Sequence, residues 1–299
     1  MQKMKCIITG ASGFIGGRLA GYFAKKGVHV ITPLREKSGL LIMHRNIQVC
    51  RYENLKELLV NKKIDFIVHA AALTTANSES GEEIYKANVN LADFIADIID
   101  YSRPRIVIFM STVSIYGEIE SEILTINNPI VNPNLYGISK LIAEQKLTKV
   151  CLDNKIDLTI LRLPGTVGYK SHGNIVSRIL KMAHQNEGRI SLTNENSEFN
   201  NIISVKNLIN YVENVVNNCQ KDKYKIILPA SSDTIKFKGI VEYIKSEFKA
   251  TNMHIDWKKK ESSSFSIDIK DAVNKGYPVI TTISSLASVV YDIKNMGDD

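Results

Sequence analysis

The chain has 299 residues, of which 44% are hydrophobic and 23% are charged, and its formal net charge is +7. This composition is ordinary for a folded protein and argues against disorder or a fibrous repeat. The length exceeds that of one typical domain, so we expect one large domain and a smaller one. The apolar stretches are too short to cross a bilayer, and Met1 leads directly into a strand-like segment. We therefore expect a cytoplasmic protein without membrane insertion.

The cysteines are widely spaced and form no CxxC pair, so we expect free thiols and no metal site. The four are Cys6, Cys50, Cys151 and Cys219. The basic clusters "LREK" and "WKKKE" are short, which is typical of a solvated surface and argues against nucleic-acid binding. The positive net charge also suits a small ligand that carries phosphate.

The first half of the chain alternates short β-branched runs with longer amphipathic stretches. The predicted strands are "KCIITG", "HVITPL", "IQVCRY", "DFIVHAA" and "RIVIFMS", with "LTILRLP" further on. Between them, "GGRLAGYFAKKG", "LKELLVNK" and "GEEIYKANVNLADFIADIIDYS" carry apolar residues at helical spacing. This alternation predicts an α/β fold with a doubly wound parallel Rossmann sheet, whose ligands bind beyond the carboxyl ends of the strands.

The order of elements loosens after Pro164. There "NIVSRILKMAHQ" predicts a helix, and "FNNIISVKNLINYVENVVNNC" predicts a strand followed by a helix. We predict that residues 1–165 form the Rossmann domain, to which about 201–219 return. Residues 166–200 and 220–299 are predicted to form a smaller, discontinuous α/β domain.

The segment "TGASGFIG" places Gly10, Gly13 and Gly16 between the first predicted strand and the first predicted helix. Gly10 can adopt backbone angles that other residues avoid, and Gly13 lets a pyrophosphate approach the main chain. Gly16 lets the helix pack close to the strand, and the helix amino terminus offers free N–H groups to an anion. The loop therefore predicts a dinucleotide site, the alternative being a tight turn without a ligand.

The GxxGxxG spacing resembles that of the short-chain dehydrogenase/reductase superfamily. "TGASGFIG" is similar to its extended branch, the NAD(P)-dependent sugar-nucleotide epimerases and dehydratases. The likeness continues in the family's order through "HAAA", "NVN", "MSTVSIYG", "YGISK" and "LRLPGTVG", and "SIDIKDAVNKGYP" is similar to the branch's closing segment. The resemblance spans almost the whole chain and implies that the smaller domain binds a nucleotide-sugar substrate.

Three residues are predicted to be catalytic. Hydride transfer between a nicotinamide and a carbinol needs a group that exchanges a proton with the alcohol oxygen, and Tyr136 fits that role. Lys140, four residues later on the same helix face, supplies a charge that stabilises the phenolate and can bond the nicotinamide ribose. The resemblance places the family's Ser/Thr position at Thr112, beside Ser111, for which a strand-end hydrogen bond is the alternative role.

The cofactor prediction depends on the end of the second strand. NAD-preferring relatives carry Asp or Glu there, whereas this chain has Leu34 followed by Arg35. An arginine can form a charge-assisted fork with a 2′-phosphate, which favours NADP(H) over the alternative NAD(H). Lys37 and Ser38 are candidate helpers. The resemblance implies further cofactor contacts, besides the three glycines, Tyr136 and Lys140, from Ser12, Phe14, Ile15, Ala70, Ala71, Asn88 and Pro164.

The resemblance also helps to sort the reaction. Sugar-nucleotide 4,6-dehydratases of this branch carry an acid pair directly after the catalytic Thr, and 3,5-epimerising reductases carry a cysteine in this region. This chain has Val113 and Ser114 instead. We therefore predict NADPH-dependent reduction of a keto group, at C4, on a nucleotide-diphosphate sugar. The alternatives are a nucleotide-sugar 4-epimerase with tightly bound NAD and a non-catalytic NADP-binding sensor.

Substrate contacts are predicted from both halves of the chain. Asn174 resembles the asparagine that contacts the diphosphate in this branch, and Arg178, one turn further on, adds charge. Thr74 and Thr75 are predicted to line the sugar pocket together with Thr112.

His172 is predicted either to contact the ligand or to be solvated. Members of the branch commonly dimerise through the helix near residues 82–101 and the helix that carries YxxxK, so a homodimer is expected.

Overall fold

The computed structural model describes residues 3–35, 39–40, 42–74, 78, 80–171, 173–218, 223–259 and 264–295. Its strands are β1 (Lys5–Thr9), β2 (His29–Leu34), β3 (Ile47–Arg51), β4 (Phe66–His69), β5 (Ile106–Thr112), β6 (Ile123–Leu124), β7 (Asp157–Leu163), β8 (Gly165–Val167), β9 (Arg189–Leu192), β10 (Glu198–Phe199), β11 (Ile202–Ser204), β12 (Tyr224–Ile227), β13 (Ile235–Lys236), β14 (His254–Trp257) and β15 (Ser266–Ile267). Its helices are α1 (Phe14–Lys25), α2 (Leu55–Leu59), α3 (Gly81–Ser102), α4 (Leu135–Asp153), α5 (Ile175–Gln185), α6 (Val205–Asn217), α7 (Phe237–Phe248), α8 (Lys270–Asn274) and α9 (Thr282–Asn295). A short 3-10 turn, Val113–Tyr116, follows β5.

The chain divides into two compact units. The first unit consists of Met1–Gly117, Pro133–Arg162 and Ile209–Ile227. The second unit consists of Glu118–Asn132, Leu163–Leu208 and Leu228–Asp299. The assignment of cofactor binding to one domain and substrate binding to the other stays a prediction.

The central sheet of the first unit has seven strands in the order β12-β7-β5-β4-β1-β2-β3. The neighbours of β1 run parallel to it, with Ile7 opposite Ile31 on one side and Ile67 on the other. The strand order reverses at β1 and β4, which creates a crevice at the carboxyl ends of these strands. The predicted α/β class with a doubly wound parallel Rossmann sheet is confirmed.

Helices cover both faces of this sheet because successive strand side chains point to opposite sides. On one face, buried Ile67 and Phe109 pack into a cluster with apolar residues of α2, α3 and α4. On the other face, Phe23 of α1 lies against Phe66 of β4, with ring centroids 5.0 Å apart. Burial on both faces explains why the strands read as continuous apolar runs rather than alternating ones.

In its described residues, the second unit contains four strand pairs and its own core. The pairs are β8 with β11, β9 with β14, β6 with β15, and β10 with β13, of which the last is antiparallel. Its core joins α5, α7 and α9 to the inner side chains of β9. The buried amide of Asn200 connects separate segments: it donates to the Ser231 and Ile267 carbonyls at 3.0 and 2.8 Å and accepts from the Ile267 N–H at 2.8 Å.

No helix in the described part of the chain combines the length and the apolar character that crossing a bilayer requires.

Candidate active site

The glycine loop forms a cradle of bare backbone between β1 and α1. Gly10 has φ +75°, and a Cβ there would lie 2.7 Å from the Ala71 nitrogen. A Cβ on Gly16 would lie 2.3 Å from the Gly10 carbonyl oxygen. Helix α1 therefore begins pressed against the end of β1, and only glycine fits at both contacts.

The amino terminus of α1 has the donors that an anion needs. Its N-cap is the exposed Gly13, and among the described residues no side chain caps the first turn. The first main-chain bond of the helix runs from Gly17 N–H to the Gly13 carbonyl at 2.9 Å. The N–H groups of Phe14, Ile15 and Gly16 precede that bond and suit a pyrophosphate at a helix amino terminus.

A cavity of about 310 Å³ opens beside this loop in the first unit. Six of its lining residues are among those predicted to bind the cofactor: Gly10, Ser12, Gly13, Arg35, Ala70 and Ala71. The others, which the sequence prediction did not include, are Pro33, Leu34, Tyr52, Ala72, Leu73, Ala87 and Leu91. The bare loop, the uncapped helix and the adjoining cavity fit a dinucleotide.

The charge of this cavity comes from Arg35. Burial raises the pKa of Tyr52 to about 12, and the nearby Arg35 guanidinium opposes that shift. Tyr52 also packs edge-on against Phe94, with ring centroids 5.1 Å apart. Of the described residues that line the cavity, Arg35 is the charged one, and none is a carboxylate.

Asn88 has its polar atoms engaged within the first unit. Its amide donates to the Leu73 carbonyl at 3.0 Å and to Ser139 Oγ at 3.1 Å, while its oxygen accepts from the Leu73 N–H at 2.7 Å. These bonds tie the segment after β4 to α4. Its predicted contact with a cofactor stays a prediction.

The structure brings Thr112 and Tyr136 together. Thr112 ends β5, and Tyr136 lies in the first turn of α4, which is capped by Asn134 Oδ1 accepting from the Gly137 N–H at 2.8 Å. Burial raises the pKa of Tyr136 to about 12, and a hydrogen bond with the Thr112 hydroxyl opposes that shift. The sequence predicts that Lys140 stabilises the phenolate. In the structure burial dominates, so the Tyr136 hydroxyl is protonated at neutral pH.

Lys140 lies buried one turn after Tyr136. Its Nζ stands 4.2 Å from the centroid of the Phe109 ring, an arrangement in which a cation is attracted to the ring face. Burial lowers the pKa of Lys140 to about 7, and the Glu144 carboxylate opposes that shift.

Phe109 also contacts His69, whose ring stacks on it with centroids 5.3 Å apart. Burial lowers the pKa of His69 to about 3, with the Lys140 charge acting in the same direction, so the imidazole is neutral. Thr9 Oγ1 accepts from the Ala70 and Ala71 N–H groups at 3.2 and 3.1 Å. The Thr9 hydroxyl therefore donates its proton to His69 Nδ1, 2.8 Å away. Since Nδ1 accepts this bond, the neutral imidazole carries its proton on Nε2.

The helix that carries Tyr136 lies unusually close to the turn after Thr112. A Cβ on Gly137 would stand 2.3 Å from the Ser114 carbonyl oxygen. Thr112 Oγ1 in turn accepts from the Ser114 N–H at 3.1 Å. This close approach of backbones lets the hydroxyls of Thr112 and Tyr136 meet.

A buried ion pair beneath these residues was missed by the sequence argument. Glu144 of α4 pairs with Arg162 of β7 through Nη2–Oε2 and Nε–Oε1 contacts of 2.8 and 3.1 Å. Ser111 donates to Glu144 Oε1 at 2.5 Å, and Arg162 Nη1 donates to the Tyr116 hydroxyl at 2.9 Å. Two features of the sequence could have indicated this pair: a Glu four residues after Lys140, and an Arg inside an apolar strand. Charges in such buried places need partners.

The remaining predicted substrate and cofactor residues are placed as follows. In the second unit, Asn174 caps α5 by accepting from the Ser177 N–H at 2.8 Å and donates to the Thr166 carbonyl at 3.0 Å. Arg178 is exposed on the same helix, and Pro164 is buried between β7 and β8. Thr74 is half-buried in the first unit. Lys37, Ser38, Thr75 and His172 lie outside the described residues.

The second unit has a cavity of its own, of about 370 Å³. Its wall carries three phenylalanines and several small polar side chains. Its lining residues are Ile175, Ser191, Leu192, Thr193, Asn194, Ser197, Glu198, Phe199, Asn201, Phe237, Ser264 and Phe265.

Residues 6–228 match the model of the NAD dependent epimerase/dehydratase family. The chain belongs to this family. The protein is therefore an enzyme that takes a pyridine nucleotide, and the extended short-chain dehydrogenase/reductase resemblance seen in the sequence is confirmed.

Relatives within this family perform different reactions. The UDP-2-acetamido-2,6-beta-L-arabino-hexul-4-ose reductase of Pseudomonas aeruginosa is 28% identical over 181 residues, which span 60% of this chain and 41% of that protein's length. The D-erythronate dehydrogenase of Haemophilus influenzae is 24% identical, over 97% of this chain and 100% of that protein. The UDP-glucose 4-epimerase of Thermotoga maritima, solved with UDP-glucose, shares the fold with a TM-score of 0.82 at 15% identity, over 98% of this chain and 99% of that one. Similarity to these proteins therefore does not determine which of these reactions the chain catalyses.

The contact at Gly137 predicts a sensitive position. In Gly137→Ala the added methyl group would overlap the Ser114 carbonyl, so α4 must move away from the turn after Thr112. We expect the free energy of unfolding, measured by urea denaturation, to fall by about 2 kcal/mol.

The matched control is Gly239→Ala in the first turn of α7, where a Cβ has nothing within 4 Å. This change should raise the free energy of unfolding by about 0.5 kcal/mol, because alanine loses less backbone entropy than glycine in a helix. Equal effects of the two substitutions would contradict the close approach at Gly137.

Proposed function

We propose that the protein reduces a keto group, at C4, of a nucleotide-diphosphate sugar with NADPH. The observation that carries this proposal is the set of Thr112, Tyr136 and Lys140, in which a protonated tyrosine hydroxyl is hydrogen-bonded to the threonine and lies one turn from a buried lysine. A protonated Tyr136 is the form that donates a proton to a carbonyl oxygen, which is the direction of reduction.

Each side chain has a defined task in this reaction. NADPH, when bound, supplies the hydride to the carbonyl carbon. The Tyr136 hydroxyl gives its proton to the carbonyl oxygen, and the Thr112 hydroxyl binds that oxygen. Lys140, when cationic, stabilises the phenolate that Tyr136 becomes. The apolar surroundings strengthen that electrostatic interaction.

The preference for NADPH is supported by the cavity beside the glycine loop. A 2′-phosphate carries negative charge, and Arg35 supplies positive charge where NAD-preferring relatives place a carboxylate. Among the described lining residues there is no acid to repel that phosphate. A net reductase also benefits from NADPH, whereas a 4-epimerase regenerates its own cofactor.

The absence of further acid–base groups at two positions supports a single reduction step. Val113 and Ser114 occupy the positions where dehydratases and 3,5-epimerising reductases of the branch carry their additional proton-transfer groups. Neither side chain can exchange a proton at neutral pH in that way.

The substrate class is supported by the cavity of the second unit. Phe199, Phe237 and Phe265 offer ring faces on which a nucleoside base can stack. We infer that this cavity takes the base and that Asn174 and Arg178 lie toward the diphosphate. The reductase relative from Pseudomonas aeruginosa acts on a UDP-linked 4-ketosugar by its name, in keeping with this class.

We also infer a cytoplasmic homodimer whose interface includes α3 and α4. Tyr101 of α3 and Leu152 of α4 are 49% and 60% exposed, although both are large and apolar. Light scattering at micromolar concentration should give the mass of a dimer, and a monomer mass would contradict this inference.

The catalytic prediction is tested with Tyr136→Phe. This change removes the proton donor but keeps the ring, so kcat for a panel of UDP-, GDP- and dTDP-linked 4-keto-6-deoxyhexoses should fall by a factor of about 10² to 10⁴. NADPH oxidation measures turnover. The Kd for NADPH should change by less than about threefold, within the range expected when one neutral hydrogen bond is lost. Tyr291→Phe, at a tyrosine of α9 that is 67% exposed, is the control and should keep full activity. Unchanged turnover in Tyr136→Phe would overturn the mechanism.

The cofactor prediction is tested with Arg35→Ala. Loss of a charged hydrogen bond should raise the Kd for NADPH by about tenfold to a hundredfold and leave the Kd for NADH nearly unchanged. Fluorescence titration of both cofactors measures this difference, with Arg189→Ala in the second unit as the control. Tighter binding of NADH than of NADPH by the native protein, or NAD retained through purification and detected by mass spectrometry, would favour the 4-epimerase instead.

A further inference from the structure

Glu144 is a buried carboxylate on the same face of α4 as the catalytic lysine. It lies one helical turn after Lys140, and its side chain is 5% exposed. Residues four apart on a helix are neighbours, so Glu144 lies on the Lys140 side of the helix, and its charge acts on the lysine across that one turn. No part of the mechanism above uses Glu144.

The carboxylate is held in one place by partners from other strands. Oε1 accepts from Ser111 Oγ and Arg162 Nε, and Oε2 accepts from Arg162 Nη2. All three bonds are donated to the carboxylate, so they fix the position of both of its oxygens. Arg162 is fixed in turn by the Tyr116 hydroxyl at 2.9 Å.

The groups around Lys140 differ in whether they favour its cationic form. From β5, the Phe109 ring face attracts the ammonium, and from β4, the neutral His69 contributes no charge. On α4 itself, the Tyr136 hydroxyl is protonated, whereas Glu144 presents a carboxylate that accepts from Ser111. Arg162, on β7, is the opposing cation and is bonded to Glu144. Among the described residues, Glu144 is the one whose negative charge acts on Lys140.

We propose that Glu144 is a positioning residue that keeps Lys140 cationic and thereby sets the pH above which Tyr136 fails as a proton donor. This inference rests on the proposed reduction. Ser111 and Arg162 serve it by holding the carboxylate beside the lysine. The ion pair is thus part of the catalytic electrostatics as well as of the packing between β5, β7 and α4.

The sign of the pH effect follows from the direction of each influence. Burial lowers the pKa of Lys140 to about 7, and the Glu144 carboxylate opposes that shift. Without the carboxylate, the lysine loses its proton at a lower pH. Reduction requires the cation, so the alkaline limb of the kcat/KM profile must move to lower pH.

The test combines NMR with kinetics on Glu144→Gln, which keeps the shape and removes the charge. With NADPH present, the titration midpoint of Lys140 followed by its ¹³Cε resonance, assigned with Lys140→Met, should fall by about one pH unit. The alkaline limb of the kcat/KM profile for ketosugar reduction should move to lower pH by the same amount. Turnover of Glu144→Gln relative to the native protein should then drop about tenfold at pH 8, because above the midpoint the cationic fraction of Lys140 falls about tenfold for each unit by which the midpoint is lowered. At pH 5.5 the drop should be much smaller.

Two further variants separate charge from structure. Glu144→Asp retains the charge and should keep both the Lys140 midpoint and the alkaline limb close to the native ones. Asp153→Asn removes an exposed carboxylate from the end of the same helix, where it pairs with Lys149, and should move neither. A loss of turnover in Glu144→Gln that is equal at every pH, with an unmoved Lys140 midpoint, would overturn the proposal.

The double variant Glu144→Gln/Arg162→Met covers the case in which a lone buried guanidinium prevents folding, since replacing both partners is often tolerated. It should also lower the Lys140 midpoint, but by less than Glu144→Gln does, because the opposing charge of Arg162 is removed as well. No shift would mean that the pair acts on Lys140 as a neutral unit, which contradicts the proposal. The NMR titration needs no turnover, so absence of ketosugar reduction by the native protein would count against the proposed function and leave this electrostatic test intact.

Discussion

The packing of α4 against the end of β5 is the constraint on which the candidate site depends. Gly137 brings the helix backbone against the Ser114 carbonyl, and the Glu144–Arg162 pair, with Ser111, joins the helix to β5 and β7. Tyr136 and Lys140 are carried by that helix. Their geometry relative to Thr112 is therefore fixed by contacts that lie outside the three side chains proposed to be catalytic.

Burial dominates the protonation of the groups in this site. It raises the pKa of Tyr136 to about 12 and lowers those of Lys140 and His69 to about 7 and about 3. Each shift favours the neutral form, because a charge loses hydration in the interior. Lys140 alone among the three has its burial shift opposed by a paired carboxylate. The site thus combines a protonated tyrosine with a lysine whose pKa of about 7 lets its cationic and neutral forms coexist at neutral pH.

The cofactor half of the site is built from backbone rather than from side chains. Gly10 and Gly16 let β1 and α1 approach each other, and the uncapped first turn leaves N–H groups for a phosphate. Such a backbone site does not select the reaction, in agreement with the different activities for which similar proteins are named: a reductase, a dehydrogenase and an epimerase. Choice among cofactors and reactions falls to a few side chains, of which Arg35 and Tyr136 carry the present proposal.

The sequence by itself determined the sheet, the helices that flank it and the glycine loop, because apolar periodicity and glycine spacing are local properties of the chain. It also indicated Thr112, Tyr136 and Lys140 through the order of their motifs. Only the tertiary structure decided that Asn88 bonds to Leu73 and Ser139, that burial controls the protonation of Tyr136, and that Glu144 pairs with Arg162. These properties arise from residues that are distant along the chain and from the removal of water around them, neither of which leaves a pattern in the local sequence.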